Sequence, residues 1–425
     1  MDSSKARSAV SGIILCSILI LAGIALRIFH DGIQSIFLIA IIAGLAIFAA
    51  SFMLSWACDA AQSYIPQSIA LAIVAFIAVL PEYAVDMYIT WMAGQEFLLG
   101  IPDAESHYAP LAVANMTGAN RLIIGVAWVL IIVIAYFKTK GAILLEKERR
   151  MELFFLMLAS IYALVVVLKG SLNLIDTVVF IGIYAWYIIL ASKRPIVEME
   201  LEGGPSELIG SLEKPKKIAV TLVIFLFSAA AIFACAEPFS ESLIAIGKMQ
   251  SIVPEFYVIQ WLAPLASEAP EFIIATIFAV RGLSSMALGS LLSAKLNQWT
   301  LLVGMIPLVY AISTRQIMDP IHMGSFQMHE ILITAAQSIL AVFILARYRV
   351  NIWHGALLFF LFIGQLITPV ILKNVDAFSH LMEYAHIEHA SQVFTILYFL
   401  TAVFFIVKYP RRLGVFNYKK VLRGE

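Results

Sequence analysis

The stretch AIVAFIAVLPEYAVD, at residues 72–86, is apolar apart from a Pro-Glu pair and a final aspartate. A second stretch, WLAPLASEAPEF at residues 261–272, carries a Pro-Glu pair in similar surroundings. A carboxylate at the centre of a bilayer costs about 2.5–3.5 kcal/mol on insertion scales, so such residues are rare and usually functional. A proline in a helix removes a backbone hydrogen bond and leaves carbonyl groups available. The two stretches therefore predict membrane helices that carry a cation site.

The composition is that of a membrane protein rather than a soluble enzyme. Of the 425 residues, 62% are hydrophobic and 13% are charged, whereas soluble domains are roughly 25% charged. The 28 Lys and Arg residues balance the 28 Asp and Glu residues, so the total charge gives no indication of a nucleic-acid partner. We find no glycine-rich nucleotide-binding motif, which argues against ATP-driven transport. We therefore expect no cofactor, no use of ATP and no enzymatic reaction.

Apolar runs long enough to cross the bilayer recur along the whole chain. Charged stretches, or stretches that contain proline or glycine, separate these runs. The runs between them predict twelve membrane spans. The first span has a long apolar stretch without a small-residue cleavage site, so we interpret it as a helix and not as a signal peptide. The predicted spans are residues 8–28, 34–58, 67–93, 109–136, 152–168, 175–191, 217–247, 253–280, 286–313, 329–347, 353–372 and 390–408.

Lys and Arg residues gather in alternate connections between these spans, as the positive-inside rule requires. The main basic connections are residues 138–150, 193–217 and 408–423. The sequence therefore predicts a multi-pass protein of the cell membrane with both termini in the cytoplasm. The stretch 192–216 combines glycine and proline with charged residues, which predicts a cytoplasmic linker between two halves.

The helix after each Pro-Glu segment carries its own small and polar stretch, ANMTGANR at residues 114–121 and GSLLSAK at residues 289–295. Small residues let helices pack closely, and amides or hydroxyls can supply ligands. The two units cross the membrane in opposite directions, which is the inverted repeat of many secondary transporters. We predict an all-α polytopic membrane protein of about twelve transmembrane helices. Its parts are an extra helix (1–30), a first five-helix repeat (31–191), the linker (192–216), a second, inverted five-helix repeat (217–372), and an extra helix with a basic tail (373–425).

These motifs resemble those of the calcium/cation antiporter superfamily. LAIVAF at residues 71–76, followed by LPE at residues 80–82, is similar to the first alpha-repeat of sodium/calcium exchangers, which reads roughly LTxVAxGTSLPE. PLASEAPE at residues 264–271 is similar to the same motif and to the PLxGNAxE element of calcium/proton exchangers. The resemblance implies a ten-helix core on spans two to eleven, in which Glu82 and Glu271 face each other and coordinate the transported cation.

Further polar residues of the two repeats extend this expected site. Glu268 and Asp86 are predicted flanking ligands or proton carriers, because a buried carboxyl group can hold either a metal ion or a proton. Calcium, which takes six to eight oxygen ligands, is compatible with such a set. The predicted neutral oxygen donors are Asn115, Asn120, Ser267 and Ser290.

The sequence departs from the exchanger motif at positions where sodium-binding members have serine. Val79, Ala119 and Ala294 occupy three of these positions, and Glu268 occupies a fourth. Because hydroxyl ligands for sodium are missing, we expect protons rather than sodium to be the exchanged ion.

Lys295 stands where the family has a site asparagine, and we predict that it modulates the site. A fixed ammonium group repels a divalent cation, so a monovalent cargo, or a proton exchanged with the lysine, also fits the sequence. Glu268 or Asp86 could instead serve only to neutralise a buried base, either Lys295 or Arg121. The alternative function is a non-transporting membrane sensor or partner subunit, in which Lys295 pairs with Glu271 or Glu268 and fills the cation position. The expected partners of a transporter are the lipid bilayer, inorganic cations and protons.

Overall fold

The computed structural model describes residues 3–29, 32–61, 79–102, 106–193, 204–249, 257–316, 319–373, 383–410 and 416. Thirteen helices make up most of this part of the chain. In chain order they are α1 (Ser3–Phe29), α2 (Ile36–Ala61), α3 (Leu80–Leu98), α4 (Tyr108–Thr139), α5 (Arg150–Lys169), α6 (Leu174–Ala191), α7 (Pro205–Gly210), α8 (Lys214–Met249), α9 (Val258–Arg281), α10 (Ser284–Thr314), α11 (Ser325–Leu345), α12 (Ile352–Lys373) and α13 (Glu383–Lys408).

Eleven of the described helices are long and apolar enough to cross a membrane. They coincide with eleven of the twelve predicted spans to within a few residues, which confirms the all-α polytopic fold. Predicted span 67–93 differs, because residues 62–78 lie outside the described part and α3 runs from Leu80 to Leu98. Pro81 is in the first turn of α3, where a missing N–H removes no helical hydrogen bond. Pro81 thus lies at the beginning of the described helix α3, whereas the predicted span 67–93 places it near the middle of a helix.

Three of the long helices contain a π-helical turn, a feature that is frequent at functional sites. The turn in α4 begins three residues after Asn120, and the turn in α10 begins three residues after Lys295. Each of these two helices is followed by a residue in the left-handed conformation, which is Lys140 after α4 and Arg315 after α10. The two helices are thus interrupted at corresponding positions. The π-helical turns are Ile123–Ala127 in α4, Val258–Leu262 in α9 and Gln298–Leu302 in α10.

Within the described residues, two short antiparallel ladders join connections that are distant in sequence. Strand β1 (Ile143–Leu144) pairs with β4 (Arg349–Val350), and β2 (Ser171–Leu172) pairs with β3 (Ile321–His322). Each ladder therefore fastens a connection of the first half of the chain to one of the second half.

The predicted linker 192–216 lies within the described residues at 192–193 and 204–216. It contains the short helix α7, which packs against α1 and α2 and buries the side chain of Ile209 among their apolar residues. Helix α8 then begins at Lys214.

The centre of the molecule depends on a close approach between α4 and the π-helical turn of α9. A Cβ atom at Gly118 would lie only 1.9 Å from the backbone carbonyl oxygen of Gln260. Because real Cβ contacts are far longer, only glycine permits this separation of the two helices. The close contact brings the polar face of α4 against α9.

Candidate cation site

Helices α3 and α9 each carry two of the four predicted carboxylates. Glu82 and Asp86 lie one turn apart on α3, and Glu268 and Glu271 lie one turn apart on α9. Glu82 interacts electrostatically with the other three carboxylates. The fold therefore gathers residues that are almost 200 positions apart in sequence into one acidic cluster.

Glu82 and Glu268 are two deeply buried carboxylates in this cluster, one from each helix. Their exposed fractions are 1% and 2%, and none of their four carboxylate oxygens makes a hydrogen bond to another described residue. The amide of Gln298 is near Glu268 but does not form a hydrogen bond of normal geometry. Buried carboxylates without partners are costly. A cation or a proton is the kind of partner that would satisfy them.

Asp86 is the carboxylate with a defined neutral partner. The Nδ2 of Asn115 donates a hydrogen bond of 2.7 Å to Asp86 Oδ1. The second oxygen of the aspartate and the carbonyl oxygen of Asn115 are buried and accept no hydrogen bond within the described part of the chain. Two oxygens are thus available to a cation at this point.

A narrow cavity without room for a water molecule adjoins Asp86 between α3 and α10. The hydroxyl of Thr90, one turn further along α3, also lies on this cavity and is buried without a described hydrogen-bond partner. Most of the cavity surface is apolar. Its lining residues are Tyr83, Asp86, Met87, Thr90, Leu302, Met305, Ile306 and Val309.

The other predicted ligands, Glu271, Ser267 and Ser290, have fewer links to the buried carboxylates. Glu271 is half-buried, with one carboxylate oxygen buried and without a hydrogen bond to any described residue. The hydroxyl of Ser267 is directed to the backbone of its own helix, to the carbonyls of Ala263 and Pro264, both at 3.3 Å. Ser290 is half-buried and donates to the carbonyl of Ala287 at 2.9 Å. The structure does not join either serine to the carboxylates.

Lys295 is completely buried and lies close to the acidic cluster without forming an ion pair there. Its Nζ donates a hydrogen bond of 2.7 Å to the Oδ1 of Asn120 and lies 4.6 Å from the ring centroid of Trp299. It interacts electrostatically with Glu82 and Glu268. The lysine–glutamate pair of the alternative function is therefore not formed in this conformation. Asn120 Oδ1 accepts from the lysine here, although the sequence predicts it as a cation ligand.

Arg121 has a carboxylate partner that the sequence analysis does not anticipate. Its guanidinium group pairs with Glu330 of α11, and both side chains are almost fully buried. The same glutamate accepts hydrogen bonds from Gln260 Nε2 and, at 3.1 Å, from Ser391 Oγ. The guanidinium also lies 5.0 Å from the ring centroid of Trp261. Arg121 is thus neutralised away from Glu268 and Asp86.

Sequence reasoning missed Glu330 because this residue lies at the beginning of a predicted span, where a charge normally reaches water. The one available signal was Arg121 itself, since a buried guanidinium requires a buried counter-charge. A second missed contact joins the two halves of the chain, because the Tyr83 hydroxyl donates to Asn297 Oδ1 at 2.9 Å.

The arrangement can hold one cation with few carboxylates and several neutral oxygens. In the described ranges, no three His, Cys, Asp or Glu side chains converge closely enough to share a metal ion. A cation at Glu82 and Glu271 in this conformation would therefore use neutral oxygen atoms, from Asn115 or water, to complete its coordination.

The sequence matches the family described as "Sodium/calcium exchanger protein" over residues 34–193 and 220–371. A crystal structure of the H+/Ca2+ exchanger CAX is 35% identical to the chain, with a TM-score of 0.85, and the match covers 97% of this chain and 98% of that one. No curated protein sequence matches the chain.

Two more distant structures share the fold. Native YfkE has a TM-score of 0.55 at 16% identity, with coverage of 91% of this chain and 99% of that one. The sodium-calcium exchanger NCX_Mj, soaked with Na+ and Sr2+, has a TM-score of 0.50 at 18% identity, with coverage of 79% and 99%. The resemblance found in the two Pro-Glu motifs is thereby confirmed over most of the chain. The chain belongs to the sodium/calcium exchanger protein family and is a polytopic membrane protein of the cation antiporter class.

Proposed function

We propose that the chain exchanges a cation, with Ca2+ as the leading candidate, for protons by alternating access. The observation that carries the proposal is the pair Glu82 and Glu268, whose carboxylates are buried on facing helices and make no hydrogen bond to any described residue. A metal ion and a proton can each neutralise such groups. Competition between the two for the same oxygens couples their movements.

The chemistry of the ligand set favours a hard cation. Glu82 and Glu271 are the proposed central ligands, Asp86 and Glu268 flank them, and the carbonyl oxygen of Asn115 is buried and available. Calcium accepts flexible sets of six to eight oxygens, whereas a transition metal would favour nitrogen or sulfur ligands. The 35% identical crystal structure is described as an H+/Ca2+ exchanger, which supports the same cargo here.

Protons are the proposed counter-ion because the sodium ligands of the exchanger motif are replaced. Val79, Ala119 and Ala294 offer no hydroxyl oxygen. Glu268 occupies a fourth position at which the exchanger motif has serine. Its carboxylate can carry a proton itself. Exchange for protons requires no ligand beyond the carboxylates already present.

Alternating access would come from two inverted repeats moving about the shared site. Support comes from the corresponding interruptions of α4 and α10 and from the ladders that link the two halves. We propose residues 31–191 and 217–372 as these repeats, with both termini in the cytoplasm of a cell-membrane protein.

Purified chain in liposomes preloaded with unlabelled Ca2+ tests the proposal. We expect external 45Ca2+ to accumulate by exchange, and the Glu82→Gln variant to show only the background of empty liposomes. Parallel assays with K+ and Na+ as cargo establish selectivity. If no cation accumulates above empty liposomes with correctly inserted wild-type protein, the chain is not a transporter and the sensor function becomes the better account.

A further inference from the structure

The Lys295 ammonium donates its hydrogen bond to an amide, although two carboxylates without a hydrogen bond to any described residue are close to it. An ammonium has three N–H donors, and in the described part of the chain Lys295 makes one hydrogen bond, to Asn120, together with its contact to the ring of Trp299. The charged groups that act on it from neighbouring helices are Glu82 of α3, Glu268 of α9 and Arg121 of α4. The first two attract the ammonium and the third repels it.

Asn120 and Trp299 together have the properties of an ammonium-binding site. An amide carbonyl oxygen accepts a charge-assisted hydrogen bond, and an indole ring attracts a cation through its negative face. Both residues are essentially inaccessible to solvent, which strengthens these interactions. We call Asn120 and Trp299 the resting site of Lys295.

A lysine can exchange one position for another at low cost. Its ammonium is a compact charge on a flexible four-carbon stem, and Glu82 and Glu268 are near enough to interact with it electrostatically. Their oxygens make no hydrogen bond to described residues and can accept the ammonium. Two alternative locations therefore exist for one positive charge.

We propose that Lys295 is a tethered cation that moves between the resting site and the carboxylates of Glu82 and Glu268. When cargo occupies the carboxylates, the ammonium is held by Asn120 and Trp299. When the cargo leaves, the ammonium neutralises the carboxylates and competes with the next ion. This inference rests on the proposed function, because it identifies Asn120 and Trp299 as positioning residues that set the affinity of the same site for its cargo.

The competition predicts a specific coupling between two substitutions. Asn120→Leu removes the hydrogen bond that retains the ammonium, so Lys295 shifts toward the carboxylates and the apparent affinity for 45Ca2+ falls about tenfold. In a Lys295→Met background there is no ammonium to release, so Asn120→Leu changes the affinity little. A double-mutant cycle measures this coupling. Asn115→Leu is the matched comparison, because Asn115 contacts Asp86 and should weaken binding equally in both backgrounds.

A second measurement does not depend on transport. A hydrophobic carbodiimide reacts with buried protonated carboxyl groups, and mass spectrometry locates the adducts on Glu82 and Glu268. In cargo-free protein, we expect Lys295→Met to increase this labelling several-fold, because no ammonium then keeps the carboxylates ionised. Adding Asn120→Leu to Lys295→Met should leave the labelling equally high.

The two measurements separate the inference from the proposed function. Changed labelling in a protein that takes up no cation would support the tethered cation and contradict transport. Cation uptake with equal labelling in all variants, and with no coupling in the double-mutant cycle, would overturn the tethered cation and leave the transport proposal intact.

Discussion

Lys295 donates a hydrogen bond of 2.7 Å to Asn120, and these two residues occupy corresponding positions on α10 and α4, each three residues before a π-helical turn. In a symmetric pair of repeats the two positions would carry the same residue type. Here one repeat supplies an amide and the other an ammonium. The asymmetry places a lysine near the carboxylates of Glu82 and Glu268.

The two carboxylates with the central role should be indispensable. Glu82→Gln and Glu271→Gln each remove a charge while preserving size, so we expect cation uptake at the level of empty liposomes with normal membrane insertion. Asp86→Asn should retain part of the activity, because an amide can still contact Asn115. Uptake assays with matched amounts of inserted protein provide the comparison.

The control for these variants is Glu213→Gln, which changes an exposed carboxylate that pairs with Lys216. Its uptake should equal that of the wild type. Full activity in Glu82→Gln or Glu271→Gln would show that the carboxylate in question is not an essential ligand.

Removing the counter-charge of Arg121 should destabilise the protein. Glu330→Ala leaves a buried guanidinium without its carboxylate, at an expected loss of about 3–5 kcal/mol in the free energy of unfolding. Thermal unfolding in detergent would report the change. The double substitution Arg121→Leu with Glu330→Leu should lose less stability than Glu330→Ala. Unchanged stability of Glu330→Ala would show that the pair contributes nothing.

The close approach of α4 and α9 gives a prediction with a matched glycine control. In Gly118→Ala the new methyl group meets a backbone carbonyl that cannot rotate away, so we expect a loss of at least about 1–3 kcal/mol in stability and impaired transport. Gly182→Ala adds the same methyl group within α6, where no atom lies within 4 Å. Its stability should be unchanged or higher, and equal thermal unfolding of the two variants would refute the packing argument.

Membrane orientation can be tested with single cysteines. We expect Leu99→Cys, in the exposed turn after α3, to react with a membrane-impermeant maleimide from outside the cell. Glu213→Cys, before α8, should react only after the membrane is opened. The reverse pattern would place residues 94–108 in the cytoplasm and invert the proposed topology.

Hydropathy predicts most of the fold because a membrane span must be long and apolar whatever its neighbours are. The same reasoning finds Glu82 and Glu271, since a carboxylate beside proline in an apolar run is conspicuous. The π-helical turns were not predicted, because residues such as Ile123 and Gln298 do not differ in type from those of an ordinary helix.

Side-chain partners are harder to predict than spans. The long side chain of Lys295 reaches several groups, and its choice of Asn120 over a glutamate depends on how α4 and α10 pack. Ser290 follows the repeat pattern, yet its hydroxyl bonds to the backbone of its own helix, as serine commonly does in helices. Such details require the tertiary arrangement.

The most direct test of the central claim is cation uptake driven by a pH gradient alone. Proteoliposomes with an acidic interior and sodium-free buffers on both sides should accumulate 45Ca2+ as protons leave, and collapsing the gradient with a protonophore should stop the accumulation. A sodium gradient with the higher concentration inside the liposomes, at equal pH on both sides, should not drive 45Ca2+ accumulation. Uptake that follows the sodium gradient and ignores pH would contradict proton coupling and indicate sodium-driven exchange.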